Sequence, residues 1–227
     1  RSQTMIFAPI DKWKKMHIVH CGIDPKLFKV SSHQGQGKRL LFVGRLAAFK
    51  GLPILLESLK ALKKHHPDVI LTVVGDGGDR TSLEKMTVDL GLSSNVNFVG
   101  YKSQAEVRKY FEETDVFVLS SFAEGVPVVL MEAMAAGVPV VATQIAGVNE
   151  LVENGISGYI IPPGNPTPLT QSIEELLNNS ELRNKFAIAA RNKVEQEFNI
   201  NLEAQKLHKV ISRALQSADS EQLPATS

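Results

Sequence analysis

Two carboxylates and two cations are the residues of this 227-residue sequence whose types and spacing could do chemistry. Glu124 and Glu132 stand eight positions apart, separated by Gly125, Val126, Pro127, Val128, Val129, Leu130 and Met131. Carboxylates so placed can serve as general acid and base, or they can accept hydrogen bonds from the vicinal hydroxyls of a sugar. The plainer alternative is a helix-start carboxylate favoured by the helix dipole, plus one satisfied polar residue. Glu132 has an almost wholly apolar sequence neighbourhood and would be costly to bury unpaired, which favours a functional role. The cations are Arg45 and Lys50, in the stretch VGRLAAFKG at 43–51. Arg can grip phosphate bidentately and Lys supplies a movable point charge, while Gly44 and Gly51 let backbone approach a ligand closely. The same composition also suits an ordinary solvated basic loop, and the order G-x-x-x-x-G-K-[ST] of a P-loop is absent. A third stretch, VGDGGDR at 74–80, approximates G-x-G-x-x-G but has Arg80 where the last glycine would stand, and it reads as a tight turn.

The elements that must position these residues follow from hydrophobic periodicity. Strand-type apolar runs at 39–43, 69–74, 96–99, 116–120, 138–142 and 159–161 alternate with helical patterns. Those patterns cover 52–64, 81–90 and 103–113, then the segment carrying Glu132, then 148–152. Leu52, Leu55, Leu56, Leu59 and Leu62 fall at helical spacing, Gly91 suits a helix C-terminus, and Ser103 with Glu106 forms a capping-box signature. Such alternation predicts right-handed βαβ units and hence an α/β fold, a doubly wound, Rossmann-like parallel sheet with helices on both faces. The candidate stretches then fall at the carboxyl ends of strands, where open sheets bind ligands. Residues 1–37 read as a lead-in, with weak helical character at 5–13, a short strand at 17–19, a turn at 22–25 and a polar loop at 31–37. The compact domain is expected at 38–217, its last part a helical extension (168–178, 181–198, 202–216), with 218–227 a disordered polar tail.

Totals narrow the partners. Twenty-five basic against 24 acidic residues leave a formal charge of +1, which gives no electrostatic reason to expect nucleic acid or an anionic membrane as main partner. Cys21 is the single cysteine, excluding an intrachain disulfide or a Cys-rich metal cluster and suiting a reducing compartment. The six histidines show no metal-ligand spacing. The apolar zone 126–142 is interrupted by Glu132 and bracketed by Pro127 and Pro139, the pattern of a buried helix and strand rather than a membrane span. No signal-peptide pattern is visible, and a start at Arg1 without Met reads as a fragment of a longer protein or a processed one.

Taken together, the motifs resemble the nucleotide-sugar-binding half of the retaining family 4 (group 1) glycosyltransferases, which have a GT-B fold. The family's V-G-R-L…K-G loop is met by Gly44, Arg45, Lys50 and Gly51, and its G-D-G turn by Gly75, Asp76 and Gly77. Asp115 and Ser120 match its D-V-F-V-L-S strand, and Glu124 and Glu132 its E-x7-E motif. Gly147 with Glu150, then Asn154, Gly155 and Gly158, complete the order over residues 38–200. On their own residues these last two motifs look like turn chemistry, with Glu150 in reach of the same cleft. The lead-in IVHCGIDPKLF looks like the family's inter-domain linker.

The resemblance implies that Arg45 and Lys50 hold the donor diphosphate, with Gly44, Gly75 and Ser121 beside them. It places Glu124 on the donor sugar and Glu132 on the ribose, and makes Arg45, Lys50 and Glu124 the catalytic set. The turn formed by Gly125, Val126, Pro127, Val128 and Val129 would face sugar and phosphate, with Tyr101 beside the base. Relatives often have Gly where Pro127 stands, and Pro has no N–H to offer a ligand. The implied activity is hexosyl transfer from a UDP-, GDP- or ADP-sugar to an acceptor glycan or lipid-linked sugar, in bacterial polysaccharide biosynthesis. No cofactor, metal or nucleic acid is implied, and the setting is cytoplasmic with at most peripheral membrane contact. The acceptor-binding amino-terminal domain is missing from the sequence, so the piece is expected to be inactive alone. Two other readings stand beside this one: a non-catalytic nucleotide- or nucleotide-sugar-binding module, and a GT-B-type phosphorylase or epimerase.

Overall fold

In the computed structural model, which describes residues 7–30, 37–145 and 147–221, strands and helices alternate as the periodicity predicts. The order is β1 (Arg39–Val43), α1 (Leu52–Leu62), β2 (Ile70–Val74), α2 (Arg80–Asp89), β3 (Val96–Gly100), α3 (Gln104–Glu112), β4 (Val116–Leu119) and α4 (Val128–Ala135). It continues with β5 (Val140–Thr143), α5 (Val148–Leu151), β6 (Gly158–Ile161), α6 (Pro166–Asn178), α7 (Ser180–Glu197) and α8 (Ile200–Glu221). The six strands pair in parallel in the order β3-β2-β1-β4-β5-β6.

The central strands are mostly apolar because helices cover both faces. Leu40 and Phe42 point to one side and join Leu55, Leu56, Leu59, Leu176 and Phe186. Leu41 points to the other and joins Phe111, Phe117, Leu130, Met134 and Val194. So α1 and α6 lie on one face and α3 and α4 on the other, while α7 reaches both clusters, through Phe186 to the first and through Ala190 and Val194 to the second. The chain builds β1, β2 and β3 outward and then returns through α3 to place β4 on the free side of β1, in register Leu40↔Val116 and Leu41↔Phe117. The loops after β1 and β4 therefore leave toward opposite faces and open a crevice between them, the topological switch point of a doubly wound sheet.

Several boundaries differ from the sequence expectation. The strand expected at 17–19 is absent: the segment pairs with no strand, and the chain just after it is tied by the His20 amide donating to Glu203 Oε2 at 2.8 Å and by a lone Ile23–Asn199 bridge. Where a helix was expected at 5–13, a 3-10 helix occupies Ile10–Lys15, and the residues before 7 lie outside the described part. Most of the polar loop at 31–37 also lies outside it. Ile23 and Phe28 of the lead-in are buried in the apolar cluster under α4. Helix α6 starts at Pro166 because proline suits a first helical position and Asn165 caps it, accepting from the Thr167 amide at 3.0 Å. At the other end α8 continues to Glu221, so 218–221, expected as tail, are helical, while 222–227 lie outside the described residues. Among the described residues no helix is long and apolar enough to cross a membrane.

Candidate functional site

The loop after β1 is built by its neighbours before it can hold anything. The Gly44 amide donates to Val74 O and the Leu46 amide to Asp76 O, each at 2.9 Å, strapping the loop to the turn after β2. Gly75 (φ +137°) lies so close that a Cβ there would stand 1.9 Å from Gly44 O, so this turn needs glycine as a packing surface. A 3-10 turn, Ala48–Lys50, then leads to Gly51 (φ +66°), where a Cβ would stand 2.0 Å from Ser120 O. Two hydrogen bonds complete the seam to β4: Ser120 Oγ donates to Lys50 O at 3.1 Å and the Phe122 amide to Phe49 O at 2.7 Å.

This seam brings Lys50 against Glu124. Nζ and Oε1 are 2.5 Å apart, with 16% and 14% of the two side chains exposed. Ser121 Oγ donates to the same Oε1 at 2.8 Å, and Ser121 is held in turn by Thr143 Oγ1 donating to its carbonyl at 2.5 Å. The Lys50 ammonium also lies 5.4 Å from the Phe49 ring centroid. Arg45, at the same strand end, is exposed, and its guanidinium makes no ion pair among the described residues.

Glu132 has a different setting. It is buried in α4, and its Oε1 accepts from Gln104 Nε2, on the first turn of α3, at 3.2 Å. Burial pushes its carboxyl above the ordinary carboxylate range, opposed by the Gln104 hydrogen bond and the charge of Arg108. The two glutamates therefore have separate partners rather than sharing a proton. Between them the chain turns into α4 at Pro127, whose carbonyl accepts from the Leu130 amide at 3.1 Å. The amides of Val128 and Val129 belong to the first helical turn, which has no intrahelical acceptors. Val128 is exposed and Val126 half-buried, and a Cβ on Gly125 would meet nothing within 4 Å, so this turn is open on one side. On its other side the Gly147 amide donates to Gly125 O at 3.1 Å. Tyr101 follows β3 and is 79% exposed.

Other expected residues serve elsewhere. Asp115, at the amino end of β4, accepts from the Lys38 and Arg39 amides at 2.8 and 2.9 Å. Asp76 accepts from the Gly77 amide and from Arg80, which hold its carboxyl below the ordinary range. Glu150 faces His20 of the lead-in at 3.5 Å. Asn154 Oδ1 accepts from the Ile160 amide at 2.8 Å, so the N-G-x-x-G stretch shapes the turn before β6. Sequence reasoning missed Gln104 and Thr143, whose partners lie 28 and 22 residues away, beyond any local pattern. Among the described residues no three His, Cys, Asp or Glu side chains come together as a metal site.

Comparison with known proteins agrees with this architecture. Residues 24–193 match the family model of the glycosyl transferases group 1. The amylovoran biosynthesis glycosyltransferase AmsK of Erwinia amylovora is 34% identical over 208 residues, 88% of this chain and 51% of AmsK. The lipopolysaccharide core biosynthesis glycosyltransferase LpsE of Rhizobium meliloti is 31% identical over 148 residues, 65% of this chain and 42% of LpsE. Anabaena HepE, solved in complex with UDP, superposes with a TM-score of 0.80 at 26% identity, over 87% of this chain and 57% of HepE. The chain spans about half the length of these relatives. With the match running through the whole six-stranded sheet, the chain belongs to the group 1 glycosyl transferase family and has the Rossmann-like fold of a GT-B half.

Proposed function

We propose that this chain is the donor-binding half of a retaining hexosyltransferase, which moves a hexosyl group from a nucleotide diphosphate sugar to an acceptor glycan or lipid-linked sugar. The observation that carries the reading is the meeting of Lys50, Glu124 and Ser121 in the crevice at the switch point, with Arg45 exposed at the same strand end. Glycosyl transfer develops positive charge on the sugar and negative charge on the departing diphosphate. Fixed cations beside the leaving group stabilise that transition state more than the ground state. Arg45 and Lys50 supply this charge directly, so donor binding requires no metal ion. Glu124 accepts hydrogen bonds from hydroxyls of the transferred sugar, and Glu132 from the ribose hydroxyls. The Val128 and Val129 amides face sugar and phosphate, and Tyr101 lies beside the base. Neither carboxylate moves a proton.

UDP bound to HepE and the biosynthetic roles named for AmsK and LpsE support a nucleotide-sugar donor and work on cell-surface polysaccharide. Relatives about twice as long support a second domain that binds acceptor and completes the cleft. In this reading the 227-residue chain binds donor weakly and does not transfer sugar by itself, and the whole protein acts in the cytoplasm with at most peripheral membrane contact. Calorimetric titration with UDP, GDP and ADP, then with their hexose derivatives, tests the reading. The expected result is one preferred base and a gain from the sugar that Glu124→Ala abolishes. Binding of none of these nucleotides contradicts donor binding, and measurable transfer by the isolated chain contradicts the division of labour.

A further inference from the structure

Lys50 and Glu124 are each other's direct partners, with their charged atoms at hydrogen-bond distance and both side chains mostly buried. Glu124 Oε1 takes only one of the Lys50 ammonium's donors, but a phosphate oxygen bound beside it on Nζ would stand close to a like charge, so a diphosphate that takes Lys50 competes with Glu124 for it. We infer that Glu124 is an internal stand-in for the donor's phosphate on Lys50, and that this exchange makes the sugar a condition of tight binding. The inference rests on the donor-binding reading above and deepens it.

The physical case concerns what each ligand leaves behind. A buried carboxylate or ammonium without a partner is costly, so a ligand that separates the pair must supply a replacement for both members. A nucleoside diphosphate supplies only one. Its phosphate takes Lys50, while Glu124 keeps Ser121 alone and stands close to a group of its own sign. A nucleotide diphosphate sugar supplies both, because the phosphate takes Lys50 and the sugar hydroxyls donate to Glu124. The local build suits such an exchange. The Lys50 backbone is fixed by the Ser120 hydrogen bond and the Gly51 contact, so its flexible stem is what moves. Ser121, pinned by Thr143, remains on Glu124 as a pivot. Once the sugar has been transferred, Glu124 recaptures Lys50 and displaces the spent nucleoside diphosphate.

The test is calorimetric titration of the 227-residue chain and its variants with UDP, GDP and ADP, and with the hexose derivative of whichever is bound. Glu124→Gln is expected to bind the bare nucleoside diphosphate roughly 10-fold tighter than wild type, the low end for a close charge pair. In the same variant the advantage of the hexose derivative shrinks. Glu124→Ala, which also removes the carboxylate, must move affinity for the nucleoside diphosphate in the same direction. In a Lys50→Ala background, Glu124→Gln must give no gain. Glu124 variants that bind the nucleoside diphosphate no tighter than wild type overturn the exchange while leaving donor binding in place. A gain that survives loss of Lys50 overturns it as well. If no variant, nor wild type, binds any nucleotide, the donor-binding reading falls and the exchange falls with it.

Discussion

At the amino end of β4, Asp115 accepts hydrogen bonds from the backbone amides of Lys38 and Arg39. Beyond its carboxyl end, Glu124 accepts from Lys50 Nζ and Ser121 Oγ. Both carboxylates are largely shielded, and both join the β1 and β4 segments of the sheet. They differ in whether their partners can leave. Backbone amides at the start of β1 are fixed by the strand itself, so Asp115 can only hold the fold. A lysine stem rotates, and phosphate oxygens or sugar hydroxyls can take the places of the groups now facing Glu124. The lesson is that burial and pairing do not separate structural from functional carboxylates here, whereas the mobility of the partner does. The same contrast separates Asp76, paired with its own turn, from the open cation Arg45.

The comparison can be broken by substitution at each end. The largest effect is expected at the carboxyl end, in the two-domain enzyme proposed above. There Arg45→Ala or Lys50→Ala lowers turnover roughly 10²–10³-fold, the scale of losing one charge-stabilising donor. Near-normal turnover in both variants removes the catalytic half of the contrast. At the amino end, Asp115→Ala leaves two shielded amides without an acceptor and is expected to cost about 2–4 kcal/mol of unfolding free energy in denaturant titration. Its nucleotide affinity, measured where the chain is still folded, is expected to stay at the wild-type value. A stability loss confined to Lys50→Ala, with Asp115→Ala neutral, would reverse the two assignments.

The smallest effect concerns Glu132, whose carboxyl burial raises. The folded chain then holds that proton at pH values where the unfolded chain has released it, so this group's contribution to stability is full below its ordinary pKa. The contribution is lost as pH rises through the raised value. Glu132→Gln is therefore expected to raise the melting temperature by a few degrees at pH 7 and to leave it nearly unchanged at pH 4. A melting temperature lowered at pH 7 would show the Glu132 charge to be satisfied beyond its bond to Gln104.

How much of this was legible in the sequence follows from how far each signal travels. The order of strands and helices was legible because burial on both faces makes the central strands nearly continuous apolar runs, as at Val116–Leu119. The switch point was not, because it rests on β4 pairing beside β1, a sheet order that no local pattern records. The lead-in was less legible, since His20, Ile23 and Phe28 are placed by Glu203, Asn199 and the core, contacts that no local pattern records. At the site, residue type and flanking glycines marked Arg45, Lys50, Glu124 and Glu132. Spacing alone suggested an acid and base pair, whereas the geometry gives each glutamate its own partner, Lys50 for one and Gln104 for the other. Thr143, Gln104 and the amide partners of Asp115 stayed hidden because each is made by chain crossover rather than by sequence proximity.

The most direct test of the central claim is a crystal structure of this chain with the nucleotide diphosphate sugar it binds best. The account predicts diphosphate oxygens within hydrogen-bond distance of Lys50 Nζ and the Arg45 guanidinium, sugar hydroxyls on Glu124, and Glu124 parted from Lys50. A diphosphate bound away from Arg45 and Lys50, with the Lys50–Glu124 pair intact, would contradict it.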